Sequence, residues 1–233
     1  MVHIKKPKIQ INWSKRAIVE TLIFRKTMPL KRFLQITEFF HFVNNDTTDE
    51  MDKLRKVEPV INYFNKKFKK IYAMKENVAI DESLMKFKGR MFYIQFNPLK
   101  KTKFERKFYK LCESTSGYCY DFTIYSGNDK TNLGYSACES VGIELSKSIL
   151  YKGYTLYIGN WYSSPKLFLI LVKNWTNVVG TVCFNRKNMP KDFVKAKFKK
   201  GECKIGSCNI LALKWKDKRD IHIISYLYKG TKL

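Results

Sequence analysis

From Asn77 onward the sequence is cut into short apolar runs, Val78–Ile80, Phe92–Phe96, Phe108–Leu111 and Tyr118–Tyr125, punctuated by Gly89, Pro98, Gly117 and Gly127. Brief apolar runs bounded by turn residues read as β-strands. Residues 132–150 are long enough for a helix, and Tyr154–Ile158 resembles another short buried strand. Ser164 followed by Pro165 is a good helix start that turns Leu167, Phe168 and Leu171 inward. Strands, helix, strand and helix in that order predict a mixed α/β layer. Ile205–Leu213 and Ile221–Tyr228, beyond a lysine-rich stretch, read as further strands.

The upstream third has a different period. Leu30, Phe33, Leu34, Phe40 and Val43 recur at near-helical spacing after Pro29. A polar loop, 44–49, separates them from Leu54, Val57, Ile61, Phe64, Phe68 and Ile71, which step by three and four. Two amphipathic helices are expected, the second kinked at Pro59. Its other face carries Lys66, Lys67, Lys69 and Lys70. That face suits either phosphate tracking or plain solvation, and spacing alone does not choose.

Lys and Arg number 45 against 20 Asp and Glu, a net charge of +25 in 233 residues, while 45% of the residues are hydrophobic. The chain has the apolar surface to fold, and its excess charge calls for a polyanionic partner, nucleic acid before an anionic membrane. The run Leu167–Val172 is far short of a span, so no membrane anchor is expected. Residues 1–10 hold no apolar stretch that would serve as a secretory signal. Lys5-Lys6-Pro7-Lys8 is a weak import signal, and an intracellular, nuclear location is the expectation. The six cysteines form no Cys-x-x-Cys pair and the three histidines are scattered, so no zinc ribbon is expected.

Chemistry has to be sought among the carboxylates. Asp81 and Glu82 directly follow Val78–Ile80, placing acid at the end of a buried strand. A metal ligand would stand there, and so would an ordinary turn acid.

Several blocks in order carry a resemblance. Ile80-Asp81-Glu82-Ser83-Leu84, Phe87-Lys88-Gly89-Arg90 and Pro98-Leu99-Lys100-Lys101 are followed by Lys110-Leu111-Cys112-Glu113-Ser114 and Gly153-Tyr154-Thr155-Leu156-Tyr157. Asn160-Trp161-Tyr162-Ser163-Ser164-Pro165, Gly180-Thr181-Val182, Asn185-Arg186-Lys187 and Trp215-Lys216-Asp217-Lys218-Arg219-Asp220 complete the series. Together they resemble piggyBac-type transposases, from about Met28 to about Tyr226.

The resemblance implies an RNase H-like mixed sheet, α/β in class, with an N-terminal helical region and a partial β-rich insertion. Residues 1–76 would be the helical dimerisation and DNA-binding region, 77–183 an incomplete catalytic-type core, and 184–233 the start of the insertion. Active members hold two divalent metals, usually Mg²⁺, on three acids, so that one ion activates the nucleophile and the other the leaving oxygen. Asp81 matches the first acid. The second belongs before Asn-Trp-Tyr, where this sequence has Gly159, and the third follows the insertion, beyond Leu233. Asp81 would then be a vestigial ligand, with no cofactor retained, and neither Asp121 nor Asp220 is placed to replace the lost acids. Two further departures are Phe104-Glu105 for Phe-Gly and Thr181-Val182-Cys183 for Thr-Val-Arg. The implied function is DNA binding without cleavage, through Lys100, Lys101, Lys103 and Arg106 together with the lysine-rich helix. A homodimer, or a heterodimer with an intact transposase, is the implied assembly. The alternatives are a regulator bound to transposon ends and an active transposase fragment completed by another chain.

Overall fold

The computed structural model describes residues 6–44, 46, 53–86, 95–96, 104–127, 134–189, 196–197, 199–208 and 210–226. The chain forms two compact units, Met1–Asp49 and Glu50–Leu233.

The first unit contains α1 (Leu22–Thr27) and α2 (Leu30–Phe39), preceded by short 3-10 turns at Ile9–Trp13 and Ala17–Val19. Trp13 organises it: its ring lies 5.5 Å from that of Phe24 and 4.9 Å from that of Phe33, and its Nε1 donates to Met28 O at 2.6 Å. The helix predicted through Val43 ends at Phe39, leaving Phe40 and Phe42 exposed.

In the second unit, α3 spans Glu58–Ile71. Pro59 starts this helix instead of kinking it, because the first helical turn leaves its N–H groups unpaired and loses nothing at a proline. Leu54 lies in a preceding turn, its carbonyl accepting from Val57 N at 2.8 Å.

Nine strands among the described residues build one sheet: β1 (Asn77–Lys86), β2 (Gln95–Phe96), β3 (Phe104–Glu113), β4 (Cys119–Ile124), β5 (Thr155–Ile158), β6 (Asn177–Thr181), β7 (Cys203–Cys208), β8 (Ile210–Lys216) and β9 (Asp220–Tyr226). Their order is β2-β3-β1-β5-β6-β9-β8-β7, with β4 beside β3. The neighbours β1, β5 and β6 are parallel and all other pairs antiparallel. The single strand predicted over Ile205–Leu213 is a hairpin of β7 and β8, in which Cys208 faces Ile210. Of the expected strand at Phe92–Phe96, residues 92–94 lie outside the described residues.

Helices α4 (Ala137–Ser146) and α5 (Pro165–Lys173) supply the crossovers and cover one face of the sheet. Val78, Ile80, Tyr109, Leu111, Leu156, Ile158, Val178 and Ile224 alternate inward from their strands and meet Leu145, Ile149, Leu167, Phe168 and Leu171. Both helix starts are chemically fixed. Ser136 and Glu139 form a reciprocal capping box, Ser164 Oγ accepts from Leu167 N, and Ser164 Oγ donates to Glu139 Oε1 at 2.5 Å, joining the two.

α3 lies against β4, the strand at this edge. Phe122 faces Lys110 at a position whose backbone groups point away from β3, and Asn65 satisfies both: Nδ2 donates to Phe122 O at 2.9 Å and Phe122 N donates to Oδ1 at 3.1 Å. Phe68 packs its ring 6.3 Å from that of Phe122.

Candidate functional site

Strand alternation puts Val78 and Ile80 under the helices and turns Ala79 and Asp81 to the opposite face. Asp81 is exposed, stands across from Lys110 of β3, and accepts from Glu82 N on Oδ1 at 2.8 Å. On its other side β5 runs parallel with Ile80 beside Ile158, so the next residue, Gly159, falls alongside Asp81. A β-carbon built on Gly159 would lie 3.8 Å from Asp81 Oδ1. The two positions that the resemblance assigns to paired acids therefore adjoin, and one of them has no side chain.

Between them opens a shallow cleft of about 330 Å³, lined by Ala79, Tyr157, Val179, Thr181 and Ile223 around Asp81 and Gly159. Asp81 is the one carboxylate in that lining. Asp121 forms an ion pair with Lys69 at 2.5 Å on β4. Asp220 is held by Lys216 at 2.7 Å and Lys214 at 3.3 Å, the Lys216 hydrogen bond first among the causes that lower its pKa. Neither lines the cleft, and among the described residues no three His, Cys, Asp or Glu side chains are grouped to hold a metal ion. A lone carboxylate against an apolar wall does not fit a pair of divalent cations, which need several oxygens each.

The turn after β5 is closely built. Gly159 O accepts from Tyr162 N and Ser163 N, both at 3.2 Å, and from Ser163 Oγ at 3.0 Å. Arg186 donates through Nη2 to Asn160 O at 3.2 Å and to Trp161 O. The Trp161 ring stacks on Tyr109 with centroids 5.3 Å apart and planes 12° apart. Lys107 Nζ lies 4.3 Å from the Trp161 centroid and 4.8 Å from that of Tyr109, and pairs with Glu82 at 2.5 Å. Glu82 is thus committed to a lysine on the covered face, although it adjoins Asp81 in sequence. Sequence reasoning missed Lys107. The available signal was its alternation with Tyr109 and Leu111 on one strand face, which marks it as inward.

Of the predicted nucleic-acid contacts, Lys66, Lys67 and Lys70 are exposed on α3, with Lys67 Nζ 5.5 Å from the Tyr63 ring centroid, whereas Lys69 is engaged by Asp121. Arg106 is half-buried on β3 opposite Met85. Lys100, Lys101 and Lys103 lie outside the described residues. No helix among the described residues is long and apolar enough to cross a membrane.

A family profile described as Transposase IS4 matches residues 1–232. Human PiggyBac transposable element-derived protein 2 is 27% identical over 210 residues, covering 83% of this chain and 34% of that protein. A solved piggyBac transposase synaptic complex with hairpin DNA superposes with a TM-score of 0.80 at 20% identity, over 94% of this chain and 47% of that one. The chain thus spans less than half the length of either relative. The superposition identifies the mixed sheet as the RNase H-like fold of DDE transposases, and the expected fold class holds. By its match along nearly the full sequence, the chain belongs to the Transposase IS4 family and is of piggyBac type.

Proposed function

We propose that this chain is a DNA-binding, catalytically inactive relative of the piggyBac transposases. The observation that carries the reading is Gly159: the position beside Asp81 is sterically open yet bears no ligand. A site with one acid where two must converge forfeits most of the transition-state stabilisation that a metal pair supplies. Support for binding comes from the net charge of +25 and from the exposed Lys66, Lys67 and Lys70. The superposed relative was solved with hairpin DNA, which makes a duplex or hairpin end the ligand to try first. Lys69, fixed to Asp121, orients α3, while its neighbours meet phosphate. A nuclear location follows from this partner.

The test is binding of the purified chain to labelled duplex DNA across a salt series, with Mg²⁺-dependent nicking scored on the same samples. Affinity should fall with a log–log slope of about −0.9 per phosphate neutralised, without nicking. Nicking that disappears in Asp81→Ala would overturn the inactive assignment, and an absence of binding at low salt would overturn the DNA reading.

A further inference from the structure

Strands β3 and β4 carry one cysteine each at facing positions, Cys112 and Cys119. The pair sits just past a bulge at Leu111/Cys112, and the next pair inward to the turn is joined by Glu113 N donating to Tyr118 O at 2.9 Å. Hydrogen-bonded and non-hydrogen-bonded positions alternate along an antiparallel ladder, so Cys112 and Cys119 occupy a non-hydrogen-bonded position, where side chains approach most closely. The Cα atoms at such a position are about 4.5 Å apart, within the roughly 4.4–6.8 Å that a disulfide spans. Both residues are half-buried, so a small reagent reaches them. No other two cysteines occupy facing positions among the described residues: Cys203 faces Trp215 and Cys208 faces Ile210.

We propose that Cys112 and Cys119 are a redox-active cross-strand dithiol, closed to a disulfide between β3 and β4 by low-molecular-weight disulfides of the glutathione class. The Cys112 thiolate attacks one sulfur of oxidised glutathione, forming a mixed disulfide and releasing one glutathione thiolate. Cys119 loses its proton to solvent, attacks the Cys112 sulfur and releases the second. Two protein thiols give up two protons and two electrons, and the reagent is reduced to two thiols.

The environment assigns the roles. A hydrogen bond from the Cys119 thiol, with Lys110 nearby, lowers the Cys112 pKa to about 7, while the Cys119 pKa is raised. Lys110, two residues before Cys112 on the same face of β3, favours the Cys112 thiolate, which makes Cys112 the attacking thiol and Cys119 the resolving one. Register places the dithiol on the same sheet face as Asp81, since Ala79 pairs with Cys112 and Asp81 with Lys110. Its closure ties β4, and through Asn65 the lysine-bearing α3, to the central strands. The inference does not depend on the chain being inactive or on its binding DNA.

The test uses the folded full chain in a series of reduced-to-oxidised glutathione ratios, followed by blocking of free thiols and peptide mapping by mass spectrometry. The expected result is a peptide linking Cys112 to Cys119 that exceeds any other cysteine pair by roughly tenfold at equilibrium, a factor equal to about 30 mV for this two-electron couple. In Cys119→Ser the reaction should stop at a Cys112–glutathione adduct. Wild type stopping at that same adduct, Cys112 pairing elsewhere, or neither thiol reacting while circular dichroism reports a folded chain would each overturn the proposal. If Cys119→Ser does not fold, the wild-type map decides alone, repeated in denaturant, where the preference for this pair should fall.

Discussion

The β-carbon that Gly159 lacks would stand 3.8 Å from Asp81 Oδ1, an ordinary contact distance, and apart from its chain neighbours no other atom of the described residues lies within 4 Å of it. Position 159 therefore has room for a β-carbon among the described residues, and Gly159→Asp should gain Mg²⁺ binding. At a Mg²⁺ concentration ten times the dissociation constant, binding to the folded state alone adds about 1.4 kcal/mol. Thermal unfolding with and without Mg²⁺ checks this. An equal Mg²⁺ response in wild type and variant would remove the argument.

Among the described glycines, Gly180 has the closest contacts around its missing β-carbon. A β-carbon there would meet Ile158 O at 2.6 Å, Ser163 Oγ at 2.7 Å and Ile158 Cγ1 at 2.9 Å, and the first of these is backbone of the adjacent strand β5. Gly180→Ala is expected to cost about 3 kcal/mol through overpacking. At Gly142, by contrast, the nearest atoms all belong to the movable Leu167 side chain, with Cδ2 at 2.9 Å, and the better helix propensity of alanine offsets the crowding, so Gly142→Ala should cost less than about 1 kcal/mol. Urea denaturation of both variants checks the ranking, and a smaller loss at Gly180 would contradict it.

Strand and helix order was legible because the apolar runs and Ser164-Pro165 carry their own local signals. Gly159 was legible only against a family pattern, since an isolated glycine says nothing of a missing carboxylate. Pairing was not legible. Glu82 looks like a second acid of the Asp81 site until the register sets it near Lys107, and Lys69 looks like its lysine neighbours until β4 brings Asp121 beneath it. The strand β1 also runs to Lys86, past the Ile80 at which its apolar run ends, because its polar half pairs along β3 as far as Glu105. Each of these misses concerns contacts distant in sequence, where tertiary context overrides local pattern.

Asn65 fastens α3 to the edge strand by two bonds to one residue, Phe122. Asn65→Ala leaves the Phe122 carbonyl of β4 without its partner, while Phe122 N keeps its bond to Asp121 Oδ1 at 3.0 Å, and should destabilise the chain by about 1–2 kcal/mol. Exchange of the Phe122 amide hydrogen, followed by NMR, should accelerate selectively. Unchanged protection there would show that Asp121 alone satisfies this amide and that the Lys69 ion pair and aromatic packing hold α3 without Asn65.

Glu113 is buried at the end of β3 and accepts from the Ser116 hydroxyl, from Ser116 N at 2.9 Å and from Tyr72 Oη at 3.3 Å. The Ser116 bonds hold its carboxyl below the usual carboxylate range. A folded-state value below the unfolded one means stability that is complete above the unfolded value and is lost as pH falls through the folded one. Ser116→Ala should therefore flatten the acid limb of the stability profile while lowering stability at neutral pH. Denaturation midpoints from neutral to acidic pH test this, and parallel profiles for wild type and variant would refute it.

Trp175 closes α5 in the left-handed region, at φ 55°, while the residue is 67% exposed. A side chain at this φ brings its β-carbon against the backbone, at a cost of roughly 1–2 kcal/mol that glycine does not incur. The Trp175 amide donates to Val172 O at 3.0 Å, a bond made by backbone atoms and unaffected by the side chain. Trp175→Gly gives up the covered minority of the residue's surface and relieves the strain, but the unfolded chain gains freedom worth about 0.4–1 kcal/mol. The difference leaves a net stabilisation of roughly 0–1.6 kcal/mol, so the substitution of a tryptophan by glycine should raise the thermal midpoint. A lowered midpoint would mean that the exposed indole makes contacts worth more than the strain it imposes.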